Sequence, residues 1–373
     1  MEKINLVKDT INQDDISKLI DWLKTNPRLT KGELTIEFEK KWSEWLGVKY
    51  SVFLNSGSSA NLAMIYSLYL SNKLNNNKII VPAVSWVTTV TPAIQLGLEP
   101  IMCDCDKDDL GLDINHLKTL IKEHNPSSII LVHVLGLPNK MDEIIQLCDE
   151  HDIYLLEDTC ESLGSKYNNK KLGLFGAMSS FSFYFGHHMS TIEGGMVCTD
   201  NYDLYKILIA IRSHGWDRDL PESERKSLRS KYNVSDFRAL YTFYYPGFNL
   251  RATDLQAFIG LIQLEKLENI ITKRKENFDI YNEHIREDLW RINTNKENYV
   301  SNFAYPLIVS NVDELSEKLI ENNIECRPLI CGSINEQPFW YERYGKSYLP
   351  NSKIVHNNGL YLPNNQDMTK EEI

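Results

Sequence analysis

The chain has 373 residues, of which 42% are hydrophobic and 24% charged, and its net charge is −11. That length can bury a large core and predicts more than one domain. The acidic balance argues against a nucleic-acid role, because phosphate binding needs clustered Lys and Arg. No apolar run reaches the ~18 residues that a bilayer span requires. The start, Met1-Glu-Lys-Ile-Asn-Leu-Val-Lys8, lacks the apolar core of a signal peptide. A cytoplasmic enzyme without a membrane or nucleic-acid partner is therefore expected.

From about residue 50 to 200, short apolar strands alternate with amphipathic helices. Asn55-Ser-Gly-Ser-Ser-Ala-Asn61 leads into a helix over 59–70, where Leu62, Ile65, Tyr66 and Tyr69 keep a helical period. Strands are predicted at 78–81, stopping at Pro82, at 100–104 and at 128–133. Met141, Ile144, Ile145 and Cys148 mark a helix, and strands follow at 153–156, 178–184 and 195–199. This order predicts an α/β fold with a mostly parallel sheet covered on both faces. Ligands bind such sheets outside the carboxyl ends of the strands. Ser85-Trp86, Asp104, His133, Glu157-Asp158 and Ser182 are the polar tips at those ends.

The stretch 216–240 is polar and aperiodic and reads as a surface loop. The segment 264–285 reads as one long charged helix, and a smaller α+β portion follows, with a strand near 303–309 and a helix near 312–322. The expected domains are 1–265 and 266–373. The closing residues, Met368-Thr-Lys-Glu-Glu-Ile373, read as the start of a helix, as if the chain continued. The seven cysteines are odd in number and irregularly spaced, which reads as reduced thiols.

Three segments carry chemistry, each weak alone. A glycine at a helix start, as at Gly57, suits an anion such as phosphate. A carboxylate at a strand end, as at Asp158, can pair with a protonated pyridine nitrogen. Asn249 and Arg251 are polar groups on the approach to a helix that Thr253 or Asp254 would cap. The fourth segment is Ser180-Phe-Ser-Phe-Tyr-Phe-Gly-His-His-Met-Ser-Thr-Ile-Glu-Gly-Gly195.

In their joint order and spacing these segments resemble the StrS-like sugar aminotransferases and dehydratases, which have the fold-type I architecture that binds pyridoxal phosphate (PLP). In that family a serine precedes the PLP-binding lysine by five residues, and Glu-Gly-Gly follows the lysine by six. Here Ser182 and Glu193 keep both spacings and His187 fills the lysine slot. An imidazole cannot condense with the cofactor aldehyde.

The resemblance implies a PLP-binding large domain, a smaller C-terminal domain and a homodimer with shared active sites. It implies that Gly57, Ser58 and Ser182 hold the cofactor phosphate, with Asn249 arriving from the partner subunit. Trp86 would stack on the ring, Asp158 would pair with its nitrogen and Glu161 would lie near its hydroxyl. His187 would be the acid–base group, with His188 pointing the opposite way on an extended segment. His214 and Arg251 would contact substrate. The histidine implies PLP and its amino form, PMP, held without a covalent tether. The implied reaction removes the C3 hydroxyl of a nucleotide-linked 4-keto-6-deoxy sugar, GDP-4-keto-6-deoxymannose by resemblance. L-Glutamate would be the amino donor, ammonia would be released, and the product would serve dideoxysugar synthesis. Related CDP-sugar dehydratases use an iron–sulfur cluster, but no cysteine lies between 199 and 325, so no cluster and no metal is expected. Two other readings remain open at this stage: a lysine-free aminotransferase and a non-catalytic sugar-nucleotide binder.

Overall fold

The computed structural model describes residues 3–285, 290 and 297–373. The chain opens with helices α1 (Gln13–Lys24) and α2 (Glu33–Leu46). Then come β1 (Tyr50–Leu54), α3 (Gly57–Leu70), β2 (Lys78–Pro82), α4 (Val87–Gln95), β3 (Glu99–Cys103) and α5 (Ile114–His124). The alternation continues through β4 (Ser128–Val132), α6 (Met141–His151) and β5 (Tyr154–Asp158). A small hairpin, β6 (Lys166–Tyr167) and β7 (Lys170–Lys171), precedes β8 (Met178–Ser182), β9 (Gly195–Thr199) and α7 (Tyr202–Arg212).

β1 to β5 with β8 and β9 form one sheet in the order β1-β9-β8-β5-β4-β2-β3. Only β9 runs against the others. Its strands are buried almost throughout, as a sheet covered on both faces requires. One apolar cluster gathers Ala63, Met64, Val81, Leu156, Val197 and Leu208. Another gathers Ile80, Leu117, Ile129 and Ile144. The carboxyl ends of six strands therefore share one edge, and the start of β9 joins them through the pairs Ser182 with Gly195 and Leu54 with Gly195.

The 216–240 stretch departs from expectation. It contains α8 (Glu222–Lys231) and α9 (Asp236–Ala239) rather than an irregular loop. α8 buries no side chain, so it has no apolar period to read. Ion pairs support it instead: Lys226 with Glu222 one turn back, and Arg229 with the fully buried Asp217 at 2.8 Å.

The long helix α10 (Asp254–His284) joins into one element the helix expected after Thr253 or Asp254 and the charged helix expected from residue 264. Thr253 caps it in a reciprocal box with Gln256. The expected boundary near residue 265 falls inside this unbroken helix. Beyond it, β10 (Tyr305–Ile308), α11 (Val312–Glu321), β11 (Arg327–Pro328), α12 (Pro338–Tyr344), α13 (Pro350–Asn358) and β12 (Gly359–Leu362) build an antiparallel three-stranded sheet with helices. This portion is laced to the large sheet. Ile334 donates to the Ala83 carbonyl at 2.8 Å, and Asp104 accepts from the backbone of Asn351 and Ser352 at the start of α13. The final residues form turns, not a helix.

Candidate active site

Strand alternation separates the two acids at the end of β5. Glu157 faces away from the edge and does structural work. It accepts from the backbone N–H groups of Gly173, Phe175 and Gly176 and meets the buried His133 at 3.2 Å. Asp158 faces the edge. It accepts from Asn61 Nδ2 and Thr89 Oγ1, both at 2.7 Å, and from the Cys160 N–H at 3.1 Å. Asn61 and Thr89 thus fix the carboxyl from α3 and α4. Thr89 was not singled out from sequence, since a threonine within a helix carries no signal of its own.

Next to Asp158, the β1–α3 turn forms a tight cradle. Ser56 caps α3 by accepting from the Ser59 N–H at 3.1 Å, which leaves the first N–H groups of the helix open to an anion. A Cβ on Gly57 would lie 2.5 Å from the Ser182 Cβ, and one on Gly195 would lie 2.2 Å from the Ser56 carbonyl oxygen. Only glycine fits at either place. The Glu-Gly-Gly motif and Ser182 therefore close directly on the cradle. Ser58 is exposed and its Oγ donates to Thr88 Oγ1 at 3.2 Å. Trp86 immediately precedes α4 and is 54% exposed, a large indole left open at the same edge.

Glu161 lies on the turn after β5 and accepts from the Leu135 N–H at 2.9 Å. Burial pushes its carboxyl up to about 8, with Asp158 adding to the rise and the Leu135 bond opposing it. At neutral pH Glu161 is therefore mostly protonated and able to donate. The turn that presents Leu135 uses two left-handed residues, Leu135 at φ 52° and Gly136 at φ 91°. The second must be glycine, because a Cβ would meet the Ser301 carbonyl at 2.7 Å.

After Ser182 the chain leaves the sheet and turns, with the His187 N–H bonding the Tyr184 carbonyl at 2.9 Å. The alternation expected for an extended segment does not apply. His187 and His188 both pack on Phe303, at 5.2 and 6.5 Å between ring centres. His188 is fully buried, and its Nε2 meets the carbonyl and hydroxyl of Ser301. His187 has its Nδ1 buried and unpartnered among the described residues. Burial lowers its imidazole to about 4, Arg274 adds to the fall, and the Cys160 carbonyl opposes it.

Asn249, Arg251 and His214 form a separate group beside the cradle. Leu250 accepts from the Asn55 N–H at 3.0 Å, Ser213 pairs with Asn249, and the Phe248 carbonyl accepts from the His214 N–H. The His214 ring meets Trp216 edge-on at 5.2 Å, and the Arg251 guanidinium lies 5.8 Å from the same indole. Asn249 is exposed. Among the described residues, no group of three or more His, Cys, Asp or Glu side chains is placed to hold a metal ion, and all seven cysteines are free.

A profile of the DegT/DnrJ/EryC1/StrS aminotransferase family matches residues 9–373. The chain belongs to this family. It is 36% identical over 380 aligned positions to the GDP-4-keto-6-deoxy-D-mannose 3-dehydratase of Yersinia pseudotuberculosis, covering 99% of this chain and 95% of that one. The solved structure of the Escherichia coli GDP-4-keto-6-deoxy-D-mannose-3-dehydratase with bound hydrated PLP superposes with a TM-score of 0.89 at 34% identity. It covers 100% of this chain and 97% of the other. A further GDP-4-keto-6-deoxymannose-3-dehydratase structure, with a trapped PLP-glutamate geminal diamine, superposes equally well at 33% identity, covering 99% of this chain and 97% of that one. The α/β fold and its mostly parallel sheet are those of the PLP-dependent aminotransferases.

Proposed function

We propose that this protein is a PLP/PMP-dependent 3-dehydratase acting on a nucleotide-linked 4-keto-6-deoxy sugar, GDP-4-keto-6-deoxymannose by likeness to its relatives. The observation that carries this reading is His187 at the lysine slot inside an otherwise complete cofactor cradle. The residues fit the cofactor. The glycine-only contact of Gly57 with Ser182 leaves helix N–H groups free for a phosphate. Asp158 faces the edge as a fixed acceptor, and the indole of Trp86 stands open beside it.

In this reading Gly57, Ser58 and Ser182 hold the phosphate, Trp86 covers the ring and Asp158 pairs with its nitrogen. Glu161, whose carboxyl burial shifts towards the protonated form, donates to the ring hydroxyl oxygen. When bound, the cofactor supplies an amino group for the sugar ketone and an electron sink beside it. His187 is neutral near pH 7, so it can take a proton at the cofactor methylene and return one to the departing C3 hydroxyl. Such help is worth roughly 10²- to 10⁴-fold. His214 and Arg251 contact the substrate. L-Glutamate is the amino donor, as supported by the glutamate trapped on PLP in a solved relative. We further propose a cytoplasmic homodimer in which Asn249 reaches the partner subunit's cradle, and a domain division near residue 265 within α10.

The deciding experiment supplies PLP, L-glutamate and GDP-4-keto-6-deoxymannose. Ammonia and a 3-deoxy-4-keto sugar are the expected products. A stable 4-amino sugar would make the protein an aminotransferase instead. Cofactor binding without turnover on several nucleotide sugars would make it a binding protein.

A further inference from the structure

α10 carries a buried cation with no carboxylate partner among the described residues. Arg274 is 1% exposed, and its Nη1 donates to the carbonyls of Phe303, at 2.8 Å, and Asn364. Its Nε and Nη2 have no partner among the described residues, and no ion pair of Arg274 is found among them. Burying an unpaired guanidinium is costly, so an arrangement that keeps one calls for a reason.

The guanidinium lies 5.9 Å from the Phe303 ring centre, and the His187 ring centre lies 5.2 Å from the same point. The Phe303 backbone is fixed in turn. Its N–H donates to the Leu135 carbonyl at 2.9 Å, and Asn302 Nδ2 donates to the same oxygen at 2.8 Å. The Leu135 N–H reaches Glu161. Arg274, Phe303, Leu135 and Glu161 thus form one connected wall beside His187.

We infer that Arg274 is a positioning residue for His187 and holds the imidazole in place through Phe303. Its positive charge acts in addition, against protonation of that ring. The inference rests on the reading of His187 as the proton-transferring group. The titratable groups around His187 are His188 on its own segment, Arg274 on α10, and Cys160 with its neighbour Glu161 on the turn after β5. Val300-Ser-Asn-Phe303 carries none. Arg274 is the only one of these that is a permanent cation, and it acts on His188 in the same direction.

The test compares wild type with Arg274→Met, Arg274→Lys and Phe303→Leu. Histidines labelled with carbon-13 report the His187 titration in the apo protein by NMR, assigned with His187→Asn. In wild type His187 should titrate well below an ordinary histidine. Arg274→Met should move that titration to higher pH, and Arg274→Lys should keep it low. Phe303→Leu and Arg274→Lys should each lower kcat on the order of 10-fold with KM for the sugar nearly unchanged, the mark of lost orientation rather than lost binding. An unmoved titration in folded Arg274→Met overturns the electrostatic part. Unchanged kcat in both Phe303→Leu and Arg274→Lys overturns the positioning part, and these two variants decide if Arg274→Met does not fold. The titration needs no substrate, so an error in the assigned reaction leaves it readable.

Discussion

His187 sits where burial and a neighbouring guanidinium both oppose a positive charge. Its position in the Ser182–Glu193 frame was legible in the sequence, through the family resemblance that gives that spacing its meaning. Its protonation state was not, because the groups that set it come from α10 and from the chain around Phe303, more than eighty residues away. Two predictions belong at this scale. Borohydride treatment of the PLP-loaded protein should leave no cofactor on the denatured chain, whereas His187→Lys should retain it covalently and lose dehydration by at least ~10²-fold. Mass spectrometry and a product assay read both. The second concerns acid stability. The folded-state pKa of His187 lies below its value in the unfolded chain, so as pH falls from about 6.5 to about 4 the unfolded chain takes up a proton that the folded chain refuses. The stabilising contribution is whole above that window and is lost through it. His188 shifts in the same direction. Urea denaturation of the apo protein should show stability falling across this range, with a shallower slope in His187→Asn.

At the level of elements, the strands were legible as short continuous apolar runs, because both of their faces are buried, and α6 as an apolar period, because it buries one face. The exceptions have separate causes. α8 is polar all round and is held by charge pairs, so periodicity could not reveal it. α10 read as two stretches because its apolar opening and its charged continuation differ in composition, and Arg274 was concealed among surface charges in the part that reads as merely charged. Asp254 shows how two helices depend on each other. α2 begins at Gly32, which offers no side-chain cap. Asp254, 4% exposed, accepts instead from the N–H groups of Gly32, Leu34 and Thr35 and from the Thr35 hydroxyl. Asp254→Ala should therefore destabilise the protein by about 2–4 kcal/mol, since it strands several buried donors at once. Chemical denaturation measures this, and a loss below ~1 kcal/mol would show that water replaces the carboxylate.

For the whole molecule, the surface around α8 and α9 leaves Phe237 and Tyr241 each 76% exposed, with Tyr232, Leu240 and Phe243 also open. So many exposed large apolar side chains in one short stretch of chain fit a contact surface better than open solvent, which supports the homodimer proposed above. Sedimentation should give the mass of two chains. The double variant Phe237→Ser with Tyr241→Ser should shift the protein towards monomer and lower its affinity for PLP, if Asn249 does complete the neighbouring cradle. A dimer unaffected by these changes would move the interface elsewhere. Periodicity in the sequence carried the α/β alternation, whereas the Gly57 turn, Asp158 and the histidine in the lysine slot stood out only through the family resemblance, because each signal is weak alone. The tertiary structure alone decided which of the two acids faces the edge and which tips are structural. Asp104 and His133 turn out to hold the fold. It also decided that a wall built from α10, Leu135 and Phe303 closes on His187. Those outcomes depend on contacts between residues far apart in the chain, and only the packing of the completed sheet brings them together.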